Sequence, residues 1–253
     1  MNPTIPPCDD RFSSVQAIFP QHEFTKVSFH DVLEFDDEIT DALLAFAGTK
    51  FVNDESHSNR DRLDNLRASI ASPTSRDDTD NVLITRLIVA YAKKLGCHAV
   101  AWGDSDSRLA AKILSGVAKG RGSSLTWQVC DGMTPWNLRF GFPLRDIYRP
   151  ELELFASQIS SLSDVILPSQ PPPEHVASRN LSIDELMTQY IHVQGKKYRG
   201  VMANIVRTVD KLQPLPIHVD TKFCTLCSAP SGAEDLTNTA HIGICYGCAR
   251  SIS

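Results

Sequence analysis

Long apolar runs are missing from this chain. Its densest apolar segments, Val82-Leu83-Ile84 and Leu87-Ile88-Val89-Ala90, are each cut off by polar or charged residues within a few positions. A helix that crosses a bilayer needs about 20 consecutive apolar residues, so no segment is expected to do so. The opening residues Met1-Asn2-Pro3-Thr4-Ile5-Pro6-Pro7 lack the basic region and apolar block of a secretory signal, and a reducing, cytoplasmic compartment is the expectation. Positive charge is not in excess either, since 25 Lys and Arg face 30 Asp and Glu for a net charge of -5. Phosphate affinity comes mainly from cations that release counterions, which excludes a chain that binds nucleic acid over its whole surface. Any RNA contact must come from a local basic patch or from a partner. Glycine is absent before Gly48, so the first 47 residues hold no glycine-rich loop of the kind that brings several backbone N–H groups to a phosphate. The seven cysteines are an odd number, which speaks against a disulfide framework and directs attention to paired Cys-x-x-Cys spacings as metal ligands.

What is present reads as one core of ordinary domain size with a small appendage. Alternation over Thr25–Phe29 predicts a short strand. A helix opens at Asp36-Asp37-Glu38, carries Ile39, Leu43, Leu44 and Phe46 on one side, and closes at Gly48. A polar loop over 52–61 leads to a helix at 62–70. The clearest helix runs from about Thr79 to Leu95, with Leu83, Ile84, Leu87, Ile88, Tyr91 and Leu95 at helical spacing and Gly96 as its stop. His98–Trp102 predicts a strand buried on both faces, Gly103-Asp104-Ser105 a turn, Asp106–Val117 a helix, and Leu125–Cys130 a further strand. That order implies right-handed crossovers, hence an α/β core with a mostly parallel sheet flanked by helices. After a helix at 150–162, Pro168-Ser169-Gln170-Pro171-Pro172-Pro173 can continue neither helix nor sheet. The expected division is therefore a core at 1–165, a proline-rich linker at 166–180, and helices plus a cysteine knuckle at 181–253. A capping box, Ser182-x-x-Glu185, opens a helix to about Val193, and another follows over Tyr198–Leu212, ended by Pro214 and Pro216.

Cys224-x-x-Cys227 and Cys245-x-x-Cys248 are separated by residues 228–244, the spacing of a tetrahedral zinc site built from two knuckles. Each tight turn points two thiolates at one ion, and Gly247 offers a permissive backbone in the second turn. Four thiolates leave no open coordination position, so the reading is structural zinc. A redox dithiol, an iron–sulfur ligand set and a coincidental spacing of cysteines are the alternatives. His241, four residues before Cys245, is disfavoured as a ligand.

The segments Gly96-Cys97, Gly103-Asp104-Ser105, Arg108-Leu109-Ala110 and Lys119-Gly120-Arg121-Gly122 resemble the core signature of the cytoplasmic tRNA 2-thiolation protein 2 family. Pro143-Leu144-Arg145-Asp146 with Glu151, Asn204-Ile205-Val206-Arg207-Thr208 with Lys211-Leu212, and the paired cysteines resemble three further passages of that family, so the likeness covers roughly residues 80–250. The resemblance implies a degenerate ATP-pyrophosphatase-like (adenine-nucleotide alpha-hydrolase) fold. It also implies a heterodimer with a catalytic sister subunit that activates the wobble uridine of tRNA with ATP, sulfur arriving from a thiocarboxylated ubiquitin-like carrier. Where the sister family reads Gly-His-Asn, this chain reads Gly103-Asp104-Ser105-Asp106-Ser107-Arg108, which argues against catalysis here. Fold relatives hold ATP with a Ser-Gly-Gly loop that this chain lacks, and Cys8 alone stands where the family carries a further Cys-x-x-Cys. The chain thus resembles a member without its first strand, loop and helix, and ATP is not expected to bind it.

Asp104 and Asp106 end a predicted parallel strand, where α/β sheets bind ligands, although helix capping by Asp104 or Ser105 is the preferred reading. Together Gly103, Asp104, Ser105 and Arg108 form the degenerate nucleotide-site turn. Two basic groups are candidates for tRNA phosphates: Lys119, Arg121, Arg139, Arg145 and Arg149, and Lys196, Lys197, Arg199, Arg207 and Lys211 with Tyr198 among them. Cys97 and Cys130 read as small buried hydrophobes in preference to sulfur-relay thiolates, and Trp102, Trp127 and Trp136 as core or partner-facing residues. Two other functions compete with the non-catalytic subunit: an adenylating sulfurtransferase using Asp104, Asp106 and a cysteine, and a zinc-bearing interaction module without an RNA role.

Overall fold

The structure is a computed structural model that describes residues 8–162, 165–166, 181–212, 221–231 and 243–252. Helix α1 (Cys8–Ile18) leads through an extended stretch into α2 (Val32–Phe35) and α3 (Ile39–Ala47). The strand expected at Thr25–Phe29 does not form. Ser28 instead accepts from the His30 amide and Asp31 Oδ2 accepts from the Ser28 amide at 2.7 Å, a reciprocal cap that bends the backbone into a helical turn. Gly48 ends α3 at φ 54°, a backbone region that glycine enters without a Cβ penalty.

Helix α4 (Asn59–Ser69) starts earlier than expected because Ser58 Oγ accepts from the Asp61 amide. The long α5 (Pro73–Lys94) also begins a turn and a half early: Ser72 is its N-cap and Pro73 fills the first helical position, where no N–H is needed. Its buried face carries Asp78, Thr79, Val82, Leu83, Arg86 and Leu87, whereas Ile84 and Leu95 point to solvent.

Strand β1 (Ala99–Ala101) is followed by α6 (Asp106–Ala118). Residues 125–130, read as a strand, open instead with one helical turn, α7 (Leu125–Gln128), continuing a tight turn over Gly122–Ser124. The alternation was real in burial, since Leu125, Trp127 and Val129 are all interior, but the backbone meets it with a turn. The other strands of this sheet are β2 (Gly132–Met133) and β3 (Arg139–Gly141), joined by a reversal in which Asn137 sits at φ 57°. The sheet has the order β1-β3-β2, with β1 parallel and β2 antiparallel to β3. Mixed α/β architecture is thus present, but this sheet is small and mixed where a mostly parallel one was expected. As an edge strand, β1 is largely exposed, and Phe140 of the central strand is the buried one.

Helices α8 (Arg149–Ser157), α9 (Ile183–Lys197) and α10 (Arg199–Val209) follow, then the short strands β4 (Lys222–Phe223) and β5 (Pro230–Ser231), which pair antiparallel, and α11 (Tyr246–Ile252). The capping box at Ser182 and Glu185 is present. The proline run at 168–173, Pro214, Pro216 and His241 lie outside the described residues. No helix among the described residues is long and apolar enough to cross a membrane.

Packing groups the chain differently from the units drawn on sequence. One core joins the second half of α5 to α6, α7, β3, α9 and α10, around Leu109, Phe140, Phe142, Met202 and Val206. The other joins α2, α3, α4 and the first half of α5 to the C-terminal cysteines, around Val32, Leu43, Phe46, Leu63, Leu83, Leu226, Cys227 and Cys248. Helix α5 is shared by both. The four-cysteine knuckle thus packs on the N-terminal helices.

Candidate metal centre and basic surface

The sulfurs of Cys224, Cys227, Cys245 and Cys248 all lie within 4.8 Å of one another. Four sulfurs at about 2.3 Å from a common ion stand roughly 3.8 Å apart, so the cluster fits one tetrahedral thiolate-bound cation. Local structure supplies the convergence. The Ser228 amide donates to the Cys224 carbonyl at 2.8 Å and the Cys224 amide to the Ala229 carbonyl at 2.9 Å, closing the first knuckle, with Ser228 at φ 55°. In the second, the Ala249 amide donates to the Cys245 carbonyl at 2.9 Å as α11 begins. The Thr225 amide reaches the Gly243 carbonyl at 2.9 Å and ties one knuckle to the other.

Chemistry agrees with geometry. Cys224, Cys227 and Cys248 are buried. Hydrogen bonds from the neighbouring thiols hold Cys224 far below the usual thiol range, while Cys227 and Cys248 are pushed well above it by the same neighbours. One thiolate therefore suppresses the next, and full ionisation of all four requires a cation among them. Cys227 and Cys245 sulfurs lie 3.5 Å apart, too far for a disulfide.

The body of the protein grips this cluster through three cations from three elements. Arg86 of α5 donates to the carbonyls of Thr225 and Leu226 at 2.7 and 3.0 Å while paired with Asp36 at 2.6 Å. Lys50 donates to the Ile252 carbonyl at 2.7 Å. Arg121 donates to Cys248 Sγ from both terminal nitrogens at 3.5 Å and to Asp78 at 2.5 Å. Sequence reasoning missed Asp36, Asp78 and Arg86. A signal existed, because Asp78 and Arg86 stand four residues either side of Val82 on the apolar stripe of α5, and a charge on such a stripe needs a partner.

Lys119 and Arg121, placed above among phosphate candidates, are therefore interior residues. Lys119 lies 3.1 Å from Asp78 and 2.7 Å from Asp184 of α9, and only 9% of it is exposed. Their charges are engaged by carboxylates, which removes them from the phosphate-facing set. Gly247 has a negative-φ backbone, so its small size serves a different end from the one expected: a Cβ there would lie 3.0 Å from Arg121 Cγ. Beside it, Gly120 has φ 74°, and a Cβ there would lie 2.9 Å from the Tyr246 ring. Gly120→Ala is expected to destabilise the protein by about 1–3 kcal/mol through both effects, checked by the urea midpoint. An unchanged midpoint would show that this contact does not hold the knuckle.

Arg145 is also drawn inward. It bonds Asp210 at the end of α10 and lies 3.7 Å from Asp131. Its neighbour Cys130 is pushed up to about 11 by burial and then by Asp210, so the thiol stays neutral near pH 7 and does not suit a relay. Cys97 is exposed, contrary to the buried role expected. Trp127 and Trp136 stack edge-to-face at 4.9 Å, and Trp136 and Trp102 each meet Phe140, a core cluster.

At the Gly103-Asp104-Ser105 turn, neither Asp104 nor Ser105 caps α6. Ser105 makes no side-chain capping bond, and Asp104 pairs with Arg108 at 2.9 Å and Lys112 at 2.5 Å. Asp106 turns back on Ser107, and burial raises its pKa. Both carboxylates are 4% exposed.

The second basic group stays outside. Lys197, Tyr198, Arg207 and Lys211 are exposed, while the side chains of Lys196 and Arg199 lie outside the described set. Tyr148 Oη donates to the Gly195 carbonyl at 2.9 Å, bringing the start of α8, with the exposed Arg149 (3.0 Å from Glu153), beside the end of α9. Arg139 is exposed on β3.

Comparison with known proteins follows the same outline. A family profile described as "Cytoplasmic tRNA 2-thiolation protein 2" matches residues 182–244. Curated relatives carry the same name. The one from Aspergillus clavatus is 48% identical over 259 aligned residues, covering 97% of this chain and 69% of the relative. The one from Neosartorya fischeri is 48% identical, covering 97% and 68%, and that from Emericella nidulans 44% identical, covering 99% and 79%. No solved structure matches. Identity of this order over nearly the whole chain is decisive: the chain belongs to the cytoplasmic tRNA 2-thiolation protein 2 family.

Proposed function

We propose that this chain is a non-catalytic subunit for 2-thiolation of the wobble uridine of tRNA. In this reading it pairs with an ATP-dependent catalytic subunit, sulfur comes from a thiocarboxylated ubiquitin-like carrier, and the work is done in the cytoplasm, the compartment named for its relatives. The observation that carries the reading is family membership joined to a turn whose acidic groups are already engaged. Asp104 is held between Arg108 and Lys112 and Asp106 by Ser107, so the residues an adenylating enzyme would use for metal or ribose are occupied within the chain. The four cysteines hold zinc in a structural role, since a complete thiolate shell leaves no position for a reacting water. The fold is a degenerate relative of the ATP-pyrophosphatases, and ATP is bound elsewhere in the complex.

The junction of α9 and α10 is the surface proposed for tRNA. Lys196 and Lys197 close α9, Tyr198 and Arg199 follow, Arg207 lies on α10, and the Tyr148–Gly195 bond adds Arg149. The exposed Lys197, Arg207 and Tyr198 offer cations and an aromatic ring, a combination that suits phosphates and an unstacked base. Lys197→Glu with Arg207→Glu should lower tRNA retention by the assembled complex at least ~10-fold near 0.1 M salt, with a shallower salt dependence. Unchanged retention in a gel-shift assay would refute this surface and favour the interaction module without an RNA role.

A further inference from the structure

Arg121 reaches Cys248 Sγ from both terminal nitrogens at 3.5 Å, and it is 5% exposed. Its guanidinium lies between Cys248 Sγ and the Asp78 carboxylate, and an arginine keeps its charge in a protein interior. Four thiolates around a divalent cation carry two net negative charges. Such a charge inside a packed core is costly unless a cation and N–H donors face it. Arg86 spends its donors on the Thr225 and Leu226 carbonyls and the Asp36 carboxylate, and Lys50 donates to the Ile252 carbonyl.

The chain around Arg121 is shaped to keep it there. The Arg121 amide donates to the Gly116 carbonyl at 2.8 Å, which wraps Lys119-Gly120-Arg121 back over the end of α6. Asp78 clamps Nε at 2.8 Å and Nη2 at 2.5 Å, and Ser251 Oγ bonds the same carboxylate at 2.5 Å. The stem passes over Gly247, where a Cβ would press on Cγ at 3.0 Å. Glycine in the second knuckle and arginine in the 119–122 loop are therefore one device written in two distant parts of the sequence.

We propose that Arg121 is a positioning residue of the metal centre: its two N–H···S bonds to Cys248, aimed by Asp78 and admitted by Gly247, hold that thiolate on the ion and offset the charge of the tetrathiolate shell. The proposal rests on the reading of the four cysteines as a metal site. N–H donors lower the energy of the sulfur lone pairs, so their loss raises the thiolate donor levels and makes the ligand easier to protonate or displace.

The test uses the whole chain loaded with cobalt(II) or zinc. Arg121→Met keeps the bulk of the stem and removes charge and donors. It should transfer zinc to a competing chelator at roughly 10- to 100-fold lower chelator concentration than the wild type. In the cobalt form, the d–d bands of a tetrahedral tetrathiolate should remain while the sulfur-to-cobalt charge-transfer band moves to lower energy, a shift that loss of packing alone would not give. Gly247→Ala retains Arg121 and displaces it, and should shift the band the same way if Arg121→Met does not fold. A wild-type chain that takes up neither ion would overturn the metal reading and the proposal together. A loaded wild type whose two variants keep its chelator resistance and its charge-transfer band would overturn the proposal alone.

Discussion

Asp78→Ala is expected to cost about 3–5 kcal/mol of folding stability, the range for removing one partner from a buried charge network. Its carboxylate is 2% exposed and meets Arg121 at 2.5 Å, Lys119 at 3.1 Å and Ser251 at 2.5 Å. Burial works against that charge, yet the two cations and the hydroxyl prevail and hold the carboxyl below its ordinary range. Without it, two cations stay in the interior, with Arg121 facing only the thiolates and Lys119 only Asp184. Because Asp78 sits on the helix shared by both cores, the loss should move the whole urea transition to a lower midpoint without splitting it. A loss below about 1 kcal/mol would mean that water or a rearranged neighbour satisfies the cations, and that the network does not join the knuckle to the body.

Cys245→Ala should reduce bound zinc from about one ion per chain to nearly none by elemental analysis, since a structural tetrathiolate site needs all four ligands. The consequence reaches beyond the tail. Cys224, Cys227, Leu226, Ile244, Cys248 and Ile252 belong to the same core as Val32, Leu43, Phe46 and Leu83, so metal loss should loosen α2, α3 and α11 together. Amide hydrogen exchange is the measure: protection should fall in those elements and persist around Phe140 and Met202 in the other core. Metal content unaffected by the substitution would refute the assignment of Cys245 as a ligand.

Local rules carried much of this in advance, and where they stopped has a physical reason. The double Cys-x-x-Cys spacing found the four-cysteine cluster because two tight turns are enough to bring two pairs of sulfurs together. The Ser182–Glu185 capping box and the Gly48 and Gly96 stops were legible because each depends on atoms within a few residues. The strands were harder. Residues 125, 127 and 129 alternate in burial, yet the backbone runs on from the turn at Gly122–Ser124 into a helical turn and pairs with no strand of the sheet. Val100 looked buried on both faces, but position in the sheet, which no local pattern encodes, made its strand an edge. The fate of Lys119 and Arg121 was hidden for the same reason: a surface cation and a buried one look alike until Asp78, 43 residues from Arg121, is known to face it.

The proposed role in wobble-uridine thiolation is tested by the wobble 2-thiouridine content of bulk tRNA, read by retardation on mercury-containing gels. Cells lacking the gene should lose the retarded species, and restoring this chain should bring it back, whereas the Cys245→Ala form should restore little of it. Thiolation that persists undiminished in cells lacking the gene would refute that role.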